Sequence, residues 1–188
     1  MLTITAYDRH VEQLFDILNR LAIALREAGI EYRVIGGVAA FIHVSERDPL
    51  RARITRDVDL AIDRHSLQAL GEAVRSSGFE YRHADGVDML VDTAQPKARS
   101  AVHLVFVREK IRPDYPEPIP DFSPPVLTAE GLLIASVAGL VRMKLTSFRE
   151  KDRVHVRDMD SVGLITPEIE AQLSDLFRQR LAQVRATE

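Results

Sequence analysis

Two carboxylates two positions apart, Asp57 and Asp59, stand in the run Arg53-Ile54-Thr55-Arg56-Asp57-Val58-Asp59-Leu60. Side chains alternate along a strand, so this spacing puts both acids on one face while Val58, Leu60 and Ile62 point into a core. Two charges side by side on a mostly apolar strand repel each other unless a cation joins them. An oxygen-only donor set suits Mg²⁺ or Mn²⁺. Arg53 and Thr55 extend the same polar row. Ahead of them, Gly36-Gly37 directly follows the apolar stretch Tyr32-Arg33-Val34-Ile35. Glycines after a strand let backbone N–H groups approach phosphate oxygens, with a helix N-terminus just behind. Alone, such a Gly-Gly is commonly only a tight turn, and an Asp-x-Asp pair only a solvated strand face. Together they read as nucleotide chemistry, a phosphate cradle beside metal carboxylates.

This order resembles the nucleotidyltransferase superfamily that includes the polymerase-beta-like minimal nucleotidyltransferases. Its signature is Gly-Gly or Gly-Ser followed by Asp-x-Asp or Asp-x-Glu, and the matching residues are Gly36, Gly37, Thr55, Asp57 and Asp59. A later stretch, Met143-Lys144-Leu145-Thr146-Ser147-Phe148-Arg149-Glu150-Lys151-Asp152 followed by Asp158, resembles the Lys-x-x-x-x-Arg-x-Lys-Asp helix of the branch related to abortive-infection type IV toxins. The likeness spans about residues 30–165.

What the resemblance implies is concrete. The fold would be α+β, a mixed β-sheet flanked by helices with a C-terminal helical layer. The activity would be binding of an NTP with a divalent metal, Mg²⁺ or Mn²⁺, and transfer of NMP to an acceptor hydroxyl. Asp57 and Asp59 would be the catalytic metal ligands. Gly36, Gly37 and Thr55 would hold phosphates and Lys144 would reach toward the nucleotide. Beside that, the residues themselves offer Arg53 or Arg56 either as a phosphate partner or as a solvated strand-end arginine, and Asp158 as an ion-pair partner that orients Lys144. The acceptor stays open among a small molecule such as an antibiotic, a tRNA 3′ end and a protein side chain, and there is room for a partner protein.

The chain departs from the family at one point. A third carboxylate is expected from a neighbouring strand, yet the best-placed strand, residues 101–107, carries His103. A histidine can act as a base near neutral pH and can bind Mn²⁺, but it is a poor Mg²⁺ ligand. Asp88 and Asp92, four apart on one strand, are the other source of an acid. The substitution sets a second reading beside the first: a catalytically inactive nucleotide- or partner-binding module of the same fold.

Hydrophobic periodicity supplies the elements that would position these residues. Leu14, Leu18, Leu21 and Leu25 form one stripe of a helix over residues 10–28, stopped by Gly29. A strand over 31–35, a short helix over 38–44, a strand over 53–62 and a helix capped by Ser66 follow. Then come a hairpin turning at Asp85-Gly86, a polar loop over 93–100 and the apolar strand 101–107. Residues 110–125 hold six prolines and must be an extended connection. Beyond it, Thr128 is expected to cap a helix running to about residue 149, the charged run 149–160 is expected to be a solvated face or a loop, and a last helix opens at Pro167. The organisation is an α/β core over 1–110, a proline-rich connector over 111–125 and a helical region over 126–188 packed on the core as one compact domain.

Composition narrows the classes. The chain of 188 residues is 46% hydrophobic and 28% charged, an ordinary globular balance. It has no cysteine, which excludes disulfides, thiolate zinc sites and cysteine nucleophiles. A net charge of −3 offers no broad electrostatic footprint for duplex nucleic acid. Apart from His103 and His155, the histidines are expected at the surface. No apolar run reaches membrane-spanning length and no signal-peptide plan opens the chain, so a cytoplasmic location is expected.

Overall fold

The structure is a computed structural model that describes residues 4–53, 55, 57–94 and 101–187, of which 4–10 are described as backbone. The expected loop over 93–100 therefore lies largely outside the described residues, as does Arg56. Helix α1 (Ile4–Glu27) buries the leucine stripe and ends where Gly29 turns at φ 65°. The chain continues as β1 (Tyr32–Ile35), α2 (Gly36–Arg47), β2 (Val58–Ile62), α3 (Leu67–Ala73), β3 (Phe79–Ala84), β4 (Val87–Asp92) and β5 (Val102–Phe106). Past the connector follow β6 (Val126–Leu127), β7 (Leu133–Ile134), α4 (Val137–Ser147), α5 (Glu150–Ser161), α6 (Pro167–Ala171) and α7 (Asp175–Arg185).

Among the described residues the strands form one mixed sheet of seven, in the order β3-β4-β5-β2-β1-β7-β6. The fold is α+β, as expected. The β5 strand lies inside the sheet, parallel to β2 and antiparallel to β4. Helix α1 packs with α3 and the turn after it, while α2, α4, α5 and α7 pack with one another.

Several boundaries differ from the sequence expectation, each for a physical reason. Helix α2 starts at the glycines themselves rather than at Val38. The strand expected over 53–62 covers only its second half. Its ladder with β1 runs from Tyr32↔Ile62 to Ile35↔Asp59 and stops because β1 turns there into α2. On the other side β5 begins opposite Val58. Arg53, Thr55 and Asp57 thus precede the strand, and Asp57 lies just outside the sheet. Ser66 makes no side-chain cap bond; instead the Asp63 carboxylate accepts from the His65 N–H to start that turn.

The helix expected from Thr128 is replaced by the β6–β7 hairpin, in which the Thr128 hydroxyl accepts from the Leu132 N–H. Strand β7 joins β1 through Val34↔Ile134, and Ser136 then caps α4 by accepting from the Gly139 N–H. The last helix is two, with Ser174 capping the second. The run 149–160 forms α5 with Asp152, Val156 and Met159 buried, so it is neither a loop nor wholly solvated. The proline connector carries no regular element among residues 108–125. It is held by Arg33, which donates to the Ser123 carbonyl and stacks 4.9 Å from the Phe122 ring centre.

Candidate active site

The sheet register brings the two sequence motifs together. Ile35 sits opposite Asp59, Asp59 opposite His103 and His103 opposite Met89, one row across four strands. The next residue after Ile35 is Gly36, at φ 72°. A methyl carbon added there would lie 2.1 Å from Asp59 Oδ2, and one added at Gly37 would lie 2.7 Å from Thr55 Oγ1. Only glycine suits position 36, because the left-handed backbone and the close approach both exclude a side chain. The Gly-Gly turn is therefore the surface on which Asp59 and Thr55 rest. Thr55 Oγ1 also accepts from the Asp57 N–H at 3.4 Å.

His103 Nδ1 stands 3.4 Å from Asp59 Oδ1. That hydrogen bond, against the opposing effect of burial, raises the His103 pKa above the ordinary histidine value. His103 thus occupies the strand position at which the family resemblance called for a carboxylate. The alternative acids do not replace it. Asp88 lies opposite Leu104, so side-chain alternation puts it on the other face of the sheet from Asp59 and His103. There it accepts from Tyr81 Oη at 2.6 Å and meets His83 Nδ1 at 2.8 Å. Asp92 is buried, paired with Arg20 of α1 at 2.5 Å.

The corner between α4 and α5 supplies the second wall. Phe148, a non-glycine residue at φ 48°, ends α4, so the stretch 143–152, one helix by the family resemblance, is a helix, a corner and a second helix. Lys144 is buried and pairs with Asp152 Oδ1 at 3.2 Å. Asp152 Oδ2 accepts from Ser147 Oγ at 2.7 Å and from Arg149 Nε at 2.7 Å. Burial pushes the Asp152 carboxyl up, but bonds from Arg149 and Ser147 and the charge of Lys144 outweigh it and hold the group at about 2. Burial lowers the Lys144 pKa, with Asp152 and then Asp59 opposing.

The partner of Lys144 is therefore Asp152 rather than Asp158, which accepts from Arg53 Nε at 3.1 Å. Asp57 is half exposed and its Oδ2 lies 3.6 Å from Lys151 Nζ. His155 is driven down to about 4 by burial and by Lys144, and its buried Nδ1 has no hydrogen-bond partner among the described residues. His43, expected at the surface, is buried and bonds the Ala135 carbonyl at 2.8 Å.

Gly36, Asp59, His103, Lys144 and Arg149 all line one groove of about 410 Å³, which runs on to Tyr115 of the connector. Asp88 also lines this groove, though its carboxylate is engaged by Tyr81 and His83, whereas Gly37, Arg53, Thr55, Asp57 and Asp92 lie outside the lining. Asp152, missed by sequence reasoning as the partner of Lys144, had two available signals: it closes the Lys-x-x-x-x-Arg-x-Lys-Asp stretch that Lys144 opens, and it stands three residues after a helix start, where it can accept from the cap backbone.

Among the described residues no three His, Asp or Glu side chains gather into a metal cage. Asp59 in the groove, with Asp57 just outside its lining, nevertheless suits Mg²⁺, which keeps several waters and takes phosphate oxygens alongside one or two protein ligands. Asp57 and Asp59 are the residues that would hold it.

No protein-family model and no curated protein matches the chain. Among solved structures it is similar to an antigenic nucleotidyltransferase-like protein from Paracoccidioides brasiliensis, with a TM-score of 0.61 and 20% identity over 94% of this chain and 89% of that one. It is also similar to the antibiotic-resistance factor ANT(2'')-Ia in solution, with a TM-score of 0.56 and 13% identity over 94% and 90%. The same factor in complex with adenylyl-2''-tobramycin gives a TM-score of 0.53 and 13% identity over 93% and 98%. At such identities the likeness is one of fold: this chain has the nucleotidyltransferase fold. Among the described residues, no helix is long and apolar enough to cross a membrane.

Proposed function

We propose that the protein binds a nucleoside triphosphate with a divalent cation and transfers its NMP to an acceptor hydroxyl. The observation that carries this reading is the seating of the Asp59 carboxylate on Gly36, with His103 on its other oxygen and the groove open beside it. A phosphate-binding turn and a metal-type carboxylate, distant in sequence, share one contact.

In this reading the N–H groups at the start of α2 hold phosphate oxygens, aided by the helix dipole. Asp57 and Asp59 would hold the metal, which when bound would neutralise the triphosphate and stabilise the pyrophosphate that leaves. Lys144, kept charged by Asp152, adds positive potential beneath the groove. His103 takes the acceptor's proton, the role for which the fold's third acid would otherwise serve. The acceptor class remains the one the resemblance left open: small molecule, tRNA or protein.

Incubation with labelled NTP and Mg²⁺ or Mn²⁺, scored for pyrophosphate release, tests the reading. Release abolished by Asp59→Asn is expected. His103→Ala should remove turnover while leaving nucleotide affinity nearly intact, and full turnover in that variant would discard His103 as the base. One observation favours a second reading, a nucleotide-binding module without turnover: an imidazole stands where a third metal carboxylate would complete the set. Metal-dependent NTP binding without release, whichever acceptor is supplied, would select it.

A further inference from the structure

The Asp57 segment is held from outside the sheet by helix α5. Lys151, in the first turn of α5, stands 3.6 Å from Asp57 Oδ2. Asp158 of the same helix accepts from Arg53 Nε at 3.1 Å. Positions 151 and 158 are seven apart and so share one helix face. Arg53 and Asp57 stand either side of Thr55, which rests on Gly37, just ahead of the β2 ladder. One helix face thus stakes both ends of the segment. The N-terminus of α5 is itself fixed by the bonds of Asp152 to Lys144, Ser147 and Arg149.

The two stakes differ on the aspartate side: Asp158 is 13% exposed beneath an Arg53 that is itself 68% exposed, whereas Lys151 and Asp57 are 57% and 50% exposed. An exposed ion pair is weak and readily exchanged. It puts a monovalent cation on an oxygen that the proposed chemistry assigns to a divalent one.

We propose that Lys151 is a built-in place-holder on Asp57, displaced when a divalent cation binds, and that the Arg53–Asp158 pair is the anchor that keeps the Asp57 segment at the groove during the exchange. Arg53, Lys151 and Asp158 are on this account positioning residues. The proposal rests on the reading of Asp57 and Asp59 as the metal site.

Binding of Mn²⁺ alone, followed by the loss of its free-ion electron paramagnetic resonance signal, tests it without nucleotide or turnover. Lys151→Met should tighten Mn²⁺ about two- to five-fold, the range an exposed pair supports. The gain should vanish in an Asp57→Asn background. Arg53→Gln should weaken Mn²⁺ about three-fold, and the exchanged pair Arg53→Glu with Asp158→Arg should restore it.

An unchanged or weaker affinity in Lys151→Met overturns the place-holder. So does a gain that survives Asp57→Asn, which would be a general charge effect. If Arg53→Gln lowers the melting temperature but leaves Mn²⁺ affinity alone, the anchor is merely structural and that part is overturned. Asp59→Asn separates the two levels. Mn²⁺ uptake that depends on Asp59 but is indifferent to Lys151 refutes only this proposal. If neither wild type nor Lys151→Met shows Asp59-dependent uptake, the metal reading fails and takes the proposal with it.

Discussion

Two lysine–aspartate pairs flank the candidate site, and they differ in almost every respect but charge. Lys144–Asp152 is closed at 3.2 Å with side chains 7% and 1% exposed, and Ser147 and Arg149 complete the carboxylate. Lys151–Asp57 is looser, at 3.6 Å, and both groups face solvent. Removing one partner of a buried pair leaves an uncompensated charge, whereas an exposed pair loses little when broken. The inner pair is therefore architecture and the outer pair is exchangeable. The first fixes where the α4–α5 corner stands, and the second leaves Asp57 available to another cation.

Substitutions can break this contrast, beginning with the inner pair. Asp152→Ala should destabilise the fold by about 3–5 kcal/mol, since Lys144 is left buried without its counter-charge. Denaturant unfolding checks this, and a loss below about 1 kcal/mol would show that the corner does not depend on the pair. Gly36→Ala comes next, at about 2–4 kcal/mol, because it joins a left-handed backbone to a clash with the Asp59 carboxylate. Its thermal unfolding should drop together with metal-dependent nucleotide binding.

The effect of pH sharpens the comparison further. Asp152 titrates at about 2 in the folded protein against an ordinary 3.8, so its contribution is complete above about pH 3.8 and is lost as pH falls toward 2. His155, held neutral down to about 4 against an ordinary 6.5, favours the folded state fully above pH 6.5. That contribution declines as pH falls from 6.5 to about 4, where the unfolded chain takes the proton first. Stability measured across this second window should slope downward toward acid in the wild type and flatten in His155→Asn. An identical slope in both would remove His155 from the account. Smallest of all, Lys151→Met should change stability by less than about 1 kcal/mol. A larger loss, read by the same unfolding experiment, would make the outer pair structural after all.

What the sequence made legible divides along the same line. Alternation in 58–62, the apolar run 101–107 and the leucine stripe of α1 predicted the sheet and its cover, because local pattern reflects burial directly. The approach of Gly36-Gly37 to Asp59 followed from motif order alone. Asp57 was expected on the same regular strand as Asp59, but a strand ends where its neighbours end, and the turn of β1 into α2 is not visible at position 57. Arg53 was expected to face phosphate and instead meets Asp158, 105 positions away. The two-residue strands β6 and β7 are too short for a local pattern to mark; β7 is defined by its pairing with β1, and β6 by its pairing with β7. The assignment of Asp158 rather than Asp152 to Lys144 failed at Phe148, whose left-handed backbone redirects the chain although no glycine marks the corner.

The central claim is that Asp59, seated on Gly36, is part of a metal-dependent nucleotide site. Calorimetric titration of a non-hydrolysable NTP into wild type and Asp59→Asn, each with Mg²⁺ and with chelator, tests it most directly. The account predicts binding in wild type with Mg²⁺ that is lost both on chelation and in the folded variant. Equal affinity in all four titrations, or none in any of them with the fold intact, would contradict it.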